Sequence, residues 1–218
     1  HEQLMKYKEG IIFTSCCYAS EVGQAFDTGG EEAGFAMIEK YMKMFAPNYY
    51  LEIMLLDFHK QKPYDIFILK AKEKYNLKLI VTCDTHYPTK EDSKYQRYML
   101  MIQTKNTLAD LERKMNEEGM KDLFELQDTN LWMKTEDELN EKWESDYKDI
   151  VDYELFKEAK RTTVEICRKA EGVEFDRSMK LPKFPDADLR LKEEIMKGFG
   201  KRALPKTKVY LNRVKEEY

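Results

Sequence analysis

Between residues 10 and 103 the apolar positions switch repeatedly between short continuous runs and a spacing of three and four. The run Gly10-Ile11-Ile12-Phe13-Thr14-Ser15 is bounded by glycine and small polar residues, and it predicts a strand buried on both faces. After the pair Gly29-Gly30, Phe35, Ile38, Met42 and Phe45 recur at helical spacing and predict an amphipathic helix over 31–45. Pro47-Asn48 breaks that pattern, and residues 49–55 read as a second strand. Pro63 lacks an N–H that a first helical turn does not use, so it opens a helix whose expected apolar stripe is Ile66, Leu69, Ala71 and Tyr75. Residues 77–83 supply a third strand and 90–103 a further helix. The order β-α-β-α-β-α predicts an α/β fold with parallel strands and right-handed crossovers.

Past residue 105 the pattern changes. Leu131-Trp132-Met133-Lys134 reads as a short strand, and Thr135 with Glu138 has the spacing of a capping box that opens a helix towards Trp143. A long helix is expected over 153–170, stopped by Gly172. In Leu181-Pro182-Lys183-Phe184-Pro185 two prolines fix φ and restrict the residues before them, so this stretch must be extended. Helices near 187–197 and 205–217 follow. The change of pattern places a boundary near residue 150, between an α/β part over 1–150 and a mainly helical region over 151–218.

Composition narrows the class. Hydrophobic residues make up 42% and charged residues 36% of 218, with 9 Gly and 6 Pro, the profile of a folded, helix-rich chain. No apolar run approaches the roughly 18–20 residues that span a bilayer, and there is no signal-peptide pattern, so a cytoplasmic protein without a membrane partner is expected. The net charge of −4 is mild, and Lys and Glu are interspersed. Nucleic-acid binding through this segment would therefore need a local basic patch, because neutralising phosphates dominates such affinity. Cys16, Cys17, Cys83 and Cys167 lack CxxC spacing, which argues against a disulfide framework. Cys167 reads as a small core residue, the methionines at 37, 42, 44, 99 and 101 as core filling, and His59 as a solvated loop residue.

Candidate chemistry gathers at the ends of the predicted strands. Ser15-Cys16-Cys17, the region after Leu55, and Asp84-Thr85-His86 all stand at C-terminal strand ends, the edge over which βα loops collect in parallel sheets. Side chains at i and i+2 of an extended chain point the same way, so Asp84 and His86 can offer a carboxylate oxygen and an imidazole nitrogen to one point. Zinc or manganese accepts that pair, and a Cys17 thiolate would favour zinc. The plainer expectation is that Asp84 caps the following helix, that His86 bonds a backbone carbonyl and that Cys17 is a buried thiol. Neither a Ser-His-Asp order nor a phosphate-cradling glycine loop is present, and Gly198-Phe199-Gly200 follows a helix rather than a strand.

Four ordered motifs carry a resemblance. Residues 12–24, Ile-Phe-Thr-Ser-Cys-Cys-Tyr-Ala-Ser-Glu-Val-Gly-Gln, resemble the "LSGCLAGEIGQ" segment of the PHP (polymerase and histidinol phosphatase) domain in bacterial replicative DNA polymerase III alpha subunits. Residues 81–87, Val-Thr-Cys-Asp-Thr-His-Tyr, are similar to that family's "ATNDVHY". Residues 101–108 are similar to its "IQTGKTL", and 181–185 to its "LPKFP" ahead of the polymerase palm. The resemblance implies a partial PHP-type distorted βα barrel followed by a helical connection towards the palm. It also implies that Cys17, Asp84 and His86 occupy three ligand positions of a metal cluster, of zinc or manganese. A complete cluster in that family implies metal-assisted phosphoester hydrolysis, as a 3′–5′ exonuclease.

Two departures stand out: Cys16 where the family usually has Gly, and Leu56 where many members carry His. On this resemblance the His-x-His strand would precede residue 1, and the palm with its catalytic aspartates would follow Tyr218. The expected protein is then an internal fragment of a DNA polymerase III alpha-like polymerase, inactive by itself. The parent would use magnesium, DNA and deoxynucleotides, with a sliding clamp or an exonuclease subunit as partner. The alternatives are a non-catalytic PHP scaffold and, third, a free-standing PHP phosphoesterase.

Overall fold

A computed structural model describes residues 2–110, 113 and 130–217. The chain divides into two compact units, His1–Glu171 and Gly172–Tyr218. In the first, a short helix α1 (Glu2–Lys6) precedes β1 (Phe13–Thr14), α2 (Glu21–Phe45), β2 (Tyr49–Met54), α3 (Gln61–Tyr75) and β3 (Leu79–Thr82). A single 3-10 turn (Lys90–Asp92) leads into α4 (Ser93–Thr104). After Asn130 come α5 (Glu136–Lys142), a π turn (Trp143–Tyr147) and α6 (Tyr153–Lys169). Thr135 and Glu138 make the expected capping box of α5.

The described strands form one open parallel sheet in the order β1-β2-β3, with Phe13 opposite Tyr49, Leu51 opposite Leu79 and Met54 opposite Thr82. All six residues of β2 are buried. Alternation sends Leu51, Ile53 and Leu55 into the main core with Ile38 and Phe45 of α2, Tyr64, Phe67 and Ile68 of α3, and Phe156 and Ala159 of α6. Met54 and Leu56 face the other way, into a smaller cluster with Tyr87 and Leu131. At β3, α6 takes the place of a further strand. The Thr163 hydroxyl accepts the Val81 N–H at 3.2 Å and lies 3.0 Å from the Val81 carbonyl, so the helix ties off main-chain groups that the sheet leaves over.

Several expectations need correction. β1 is not buried on both faces: Phe13 and Thr14 are half-buried, because β1 lies at an edge of the described sheet. The helix expected from residue 31 begins at Glu21, where the Ser20 hydroxyl accepts the Gly23 N–H. Gly30, at φ 71°, kinks this helix rather than starting it. In α3 the buried stripe is Tyr64, Phe67, Ile68 and Ala71, while Ile66 is exposed. Cys167 and Met99 are exposed rather than in the core. Leu131-Trp132-Met133-Lys134 makes no strand, only one parallel bridge between Tyr87 and Trp132. The helix expected over 153–170 is present, and it packs against β3 within the first unit.

The second unit holds α7 (Ala187–Lys201) and α8 (Lys208–Glu217). Phe199, buried near the end of α7, meets Tyr210 of α8 edge to face at 6.3 Å between ring centroids. No helix among the described residues is long and apolar enough to cross a membrane.

Phe67 shows why one face of α3 is inside. Its ring stacks on Phe26 at 4.7 Å and meets Phe35 at 5.1 Å. It also lies against Gly34, where a Cβ would fall 2.5 Å from the ring. Truncating this ring leaves a cavity that its tightly packed neighbours cannot fill, and Phe67→Ala should cost about 3–5 kcal/mol in urea denaturation. Ile66→Ala, one residue away on the exposed face, should stay within about 1 kcal/mol of the parent protein. Equal losses would place the wrong face inside.

Candidate functional site

Two residues with positive φ turn the chain sharply off the sheet. Cys16, at φ 57°, follows Ser15 at the end of β1, and Asp84, at φ 45°, follows Cys83 beyond β3. Ser15 is buried and fixes the first turn: its hydroxyl accepts the Glu52 N–H at 2.9 Å, and its carbonyl accepts the Tyr64 hydroxyl at 3.1 Å. The second turn is pinned from outside the sheet. His86 N–H donates to the Leu131 carbonyl at 2.8 Å, Met133 N–H to the Tyr87 carbonyl at 3.2 Å, and Leu131 N–H to the Tyr87 hydroxyl at 3.1 Å.

Cys17 is half-buried against the cluster of Met54, Leu56, Tyr87 and Leu131. Burial pushes its thiol up, and the negative charge of Asp84 adds to that effect. His86 Nδ1 lies 2.7 Å from the Asp84 carbonyl oxygen and 3.8 Å from its carboxylate. A proton on Nδ1, held by that carbonyl, leaves the Nε2 lone pair for a ligand, as in many metal-binding histidines. The same contact is the one expected of a plain backbone-bonded histidine. Asp84 is not the cap of the next helix, because Thr89 and Asp92 form that capping box.

Thiol, carboxylate and imidazole suit zinc as donor types. The three residues share one edge of the sheet, yet among the described residues no three His, Cys, Asp or Glu side chains gather where they could hold a metal ion. The fit to a metal is therefore partial. Leu56, where the resembled pattern has His, is buried and packs with Met54 and Tyr87. His59 is exposed, as expected, with its ring 4.9 Å from that of Phe58.

Beneath this edge lies a polar network that the sequence reading passed over. Asp65, fully buried in the second turn of α3, accepts the Met54 N–H at 3.2 Å and the Gln61 side-chain amide at 2.8 Å on one oxygen. The Tyr147 hydroxyl, 3.3 Å away, reaches the other oxygen, and it also lies 3.3 Å from the Leu56 carbonyl. Burial drives the Asp65 carboxyl well above 3.8, against the opposing effect of these hydrogen bonds. Nearby, Asn130, at φ 53°, donates to the Leu55 carbonyl at 3.2 Å. Its position was not singled out from sequence. Gln61, Asp65 and Ile68 do share helical spacing, a polar pair on the inward stripe, which was a usable signal. Tyr147, in a π turn, gave none.

No family model matches the chain. It is similar to DNA polymerase III alpha subunits. That of Deinococcus radiodurans is 34% identical over 113 residues, 52% of this chain and 8% of the relative. That of Thermus aquaticus is 30% identical over 112 residues, 51% of this chain and 9% of the relative. That of Aquifex aeolicus is 27% identical over 144 residues, 66% of this chain and 12% of the relative. The chain thus spans about a tenth of the length of the DNA polymerase III alpha relatives it matches.

Asp65 supplies a pH test of the site's foundation. Its carboxyl binds a proton more tightly folded than unfolded, so its contribution to stability is fully present below about 4 and is lost as pH rises through the raised folded value. Asp65→Asn keeps the acceptor for Met54 and should lose less stability than the parent between about pH 4 and pH 8. Asp65→Ala, which leaves the Met54 N–H and the Gln61 side-chain amide without their acceptor, should cost about 2–4 kcal/mol. Urea denaturation at the two pH values measures both; a parallel pH dependence of the Asn variant and the parent would refute the assignment.

Proposed function

We propose that this chain is an internal segment of a DNA polymerase III alpha-like replicative polymerase. In this reading it comprises the rear of a PHP-type distorted βα barrel and the helical approach to the palm. The observation that carries the reading is a coincidence of position. The motifs around Cys17 and around Asp84 and His86, which resemble PHP ligand segments, come from separate stretches of sequence and stand at the same end of β1 and β3, the parallel strands on either side of β2, where burial and, after it, the charge of Asp84 raise the Cys17 thiol. DNA and deoxynucleotides would be the parent's substrates and magnesium its polymerase cofactor, while a sliding clamp or an exonuclease subunit would be its partner.

Within that reading, Cys17, Asp84 and His86 form one side of a zinc or manganese site completed by residues of the parent outside this set. A metal bound there would polarise a phosphoryl oxygen and supply hydroxide, the chemistry of a 3′–5′ exonuclease. Cys17 would give a soft ligand and His86 an imidazole whose Nδ1 is held by the Asp84 carbonyl, while the turn at Asp84 fixes the distance between them.

A specific pair of observations favours a second reading, a non-catalytic scaffold. Leu56 fills a ligand position with buried hydrocarbon, and His86 already has a backbone partner. The two readings separate on metal content. The full-length parent, purified without chelator, should contain zinc or manganese by elemental analysis and should melt lower after EDTA treatment. Replacing Cys17, Asp84 and His86 by Ala should remove both the metal and the EDTA effect. A metal-free parent with an unchanged melting temperature in the triple variant would establish the scaffold.

A further inference from the structure

The chain is acidic overall, with a net charge of −4, but its second unit is not. Gly172–Tyr218 carries 12 Lys and Arg against 8 Asp and Glu, and residues 195–215 hold seven cations and no carboxylate side chain. These seven, Lys197, Lys201, Arg202, Lys206, Lys208, Arg213 and Lys215, are all exposed. Two are matched locally, Lys197 by Glu194 at 2.8 Å and Arg213 by Glu216 at 3.2 Å. The other five have no carboxylate within ion-pair distance among the described residues.

The fold concentrates four of them. The Leu204 N–H donates to the Phe199 carbonyl at 3.0 Å and turns the chain off the end of α7, and the contact of Phe199 with Tyr210 brings α7 and α8 together as a hairpin. Lys201, Arg202, Lys206 and Lys208 then share its corner. Local stability accounts for only half of this placement. Lys201 and Arg202 stand at the end of α7, where a helix dipole favours cations. Lys206 and Lys208 stand at the start of α8, where the dipole opposes them and no acidic residue relieves it. A cluster of like charges that its own helix disfavours calls for an external polyanion.

We propose that the α7–α8 corner is a contact surface for the phosphate backbone of nucleic acid. It is sequence-independent, with Lys201, Arg202, Lys206 and Lys208 each placed to neutralise one phosphate. This deepens the polymerase reading by giving the segment a direct grip on DNA, apart from the strand-edge site. A regularly spaced polyanion matches an array of separate cations better than a single anion does, and no carboxylate in residues 195–215 competes for them.

The test is fluorescence anisotropy of a labelled 20-base-pair duplex with the 218-residue chain. Four neutralised phosphates predict that affinity falls about 150-fold between about 50 and 200 mM salt. Changing Lys201, Arg202, Lys206 and Lys208 together to Ala, with circular dichroism unchanged, should weaken binding at least about tenfold and flatten the salt dependence. A control removing the same charge from the first unit, with Lys6, Lys43, Lys94 and Lys148 changed to Ala, should stay within about twofold. Absence of binding at low salt, or an equal loss in the control, overturns the inference. So does binding to phosphatidylserine vesicles without binding to the duplex. Any of these would leave the polymerase reading standing, since that reading is tested by the metal content of the parent.

Discussion

β2 carries six consecutive buried residues, so both of its faces must be covered and its polar ends must be matched by something other than water. Covering one face requires α2, α3 and α6, whose Ile38, Phe67, Ile68 and Phe156 form the main core against Leu51 and Ile53. Covering the other brings Leu131 and Tyr87 over Met54 and Leu56. The matching at the C-terminal end is made by Asp65, Gln61 and Tyr147, which gather the Met54 and Leu56 main-chain groups into one hydrogen-bonded knot. Such a knot is costly to break, because each member left unmatched keeps its full desolvation penalty.

The candidate site inherits its geometry from this arrangement. Ser15 bonds both the neighbouring strand and Tyr64, so the chain leaves β1 at a fixed point and Cys16 must turn through positive φ. Asp84 does the same beyond β3. Cys17 thereby sits on the apolar cluster under Leu56 and Tyr87 and feels the charge of Asp84. Burial and the nearby carboxylate both favour the protonated thiol, so the electrostatics at Cys17 are set by its place at this edge.

The two units divide the charge unevenly. The strand-edge region is mixed and mildly acidic, while the α7–α8 hairpin presents cations without acids over residues 195–215.

The sequence by itself determined the alternation of strands and helices, the parallel sheet and the strand-end position of Cys17, Asp84 and His86. Each follows from local periodicity and from the fixed geometry of strand–helix–strand crossovers. The capping box at Thr135 and Glu138 was legible for the same reason: its bonds join residues three apart. What the tertiary structure decided are contacts between residues far apart in the chain. Ile66 and Phe67 look equally suited to a core, and only the ring stack with Phe26 and Phe35 selects Phe67. β1 reads as fully buried until its place at an edge of the described sheet leaves Phe13 half-covered. Tyr147 meets Asp65 from 82 residues away, and Thr163 closes Val81 from an equal separation. A sequence pattern records which residues avoid water; which of them meet each other is set by how the layers pack. So Cys17, Asp84 and His86 could be placed on one edge from sequence, while the fact that among the described residues they do not gather as a set of three able to hold a metal ion is a property of the fold.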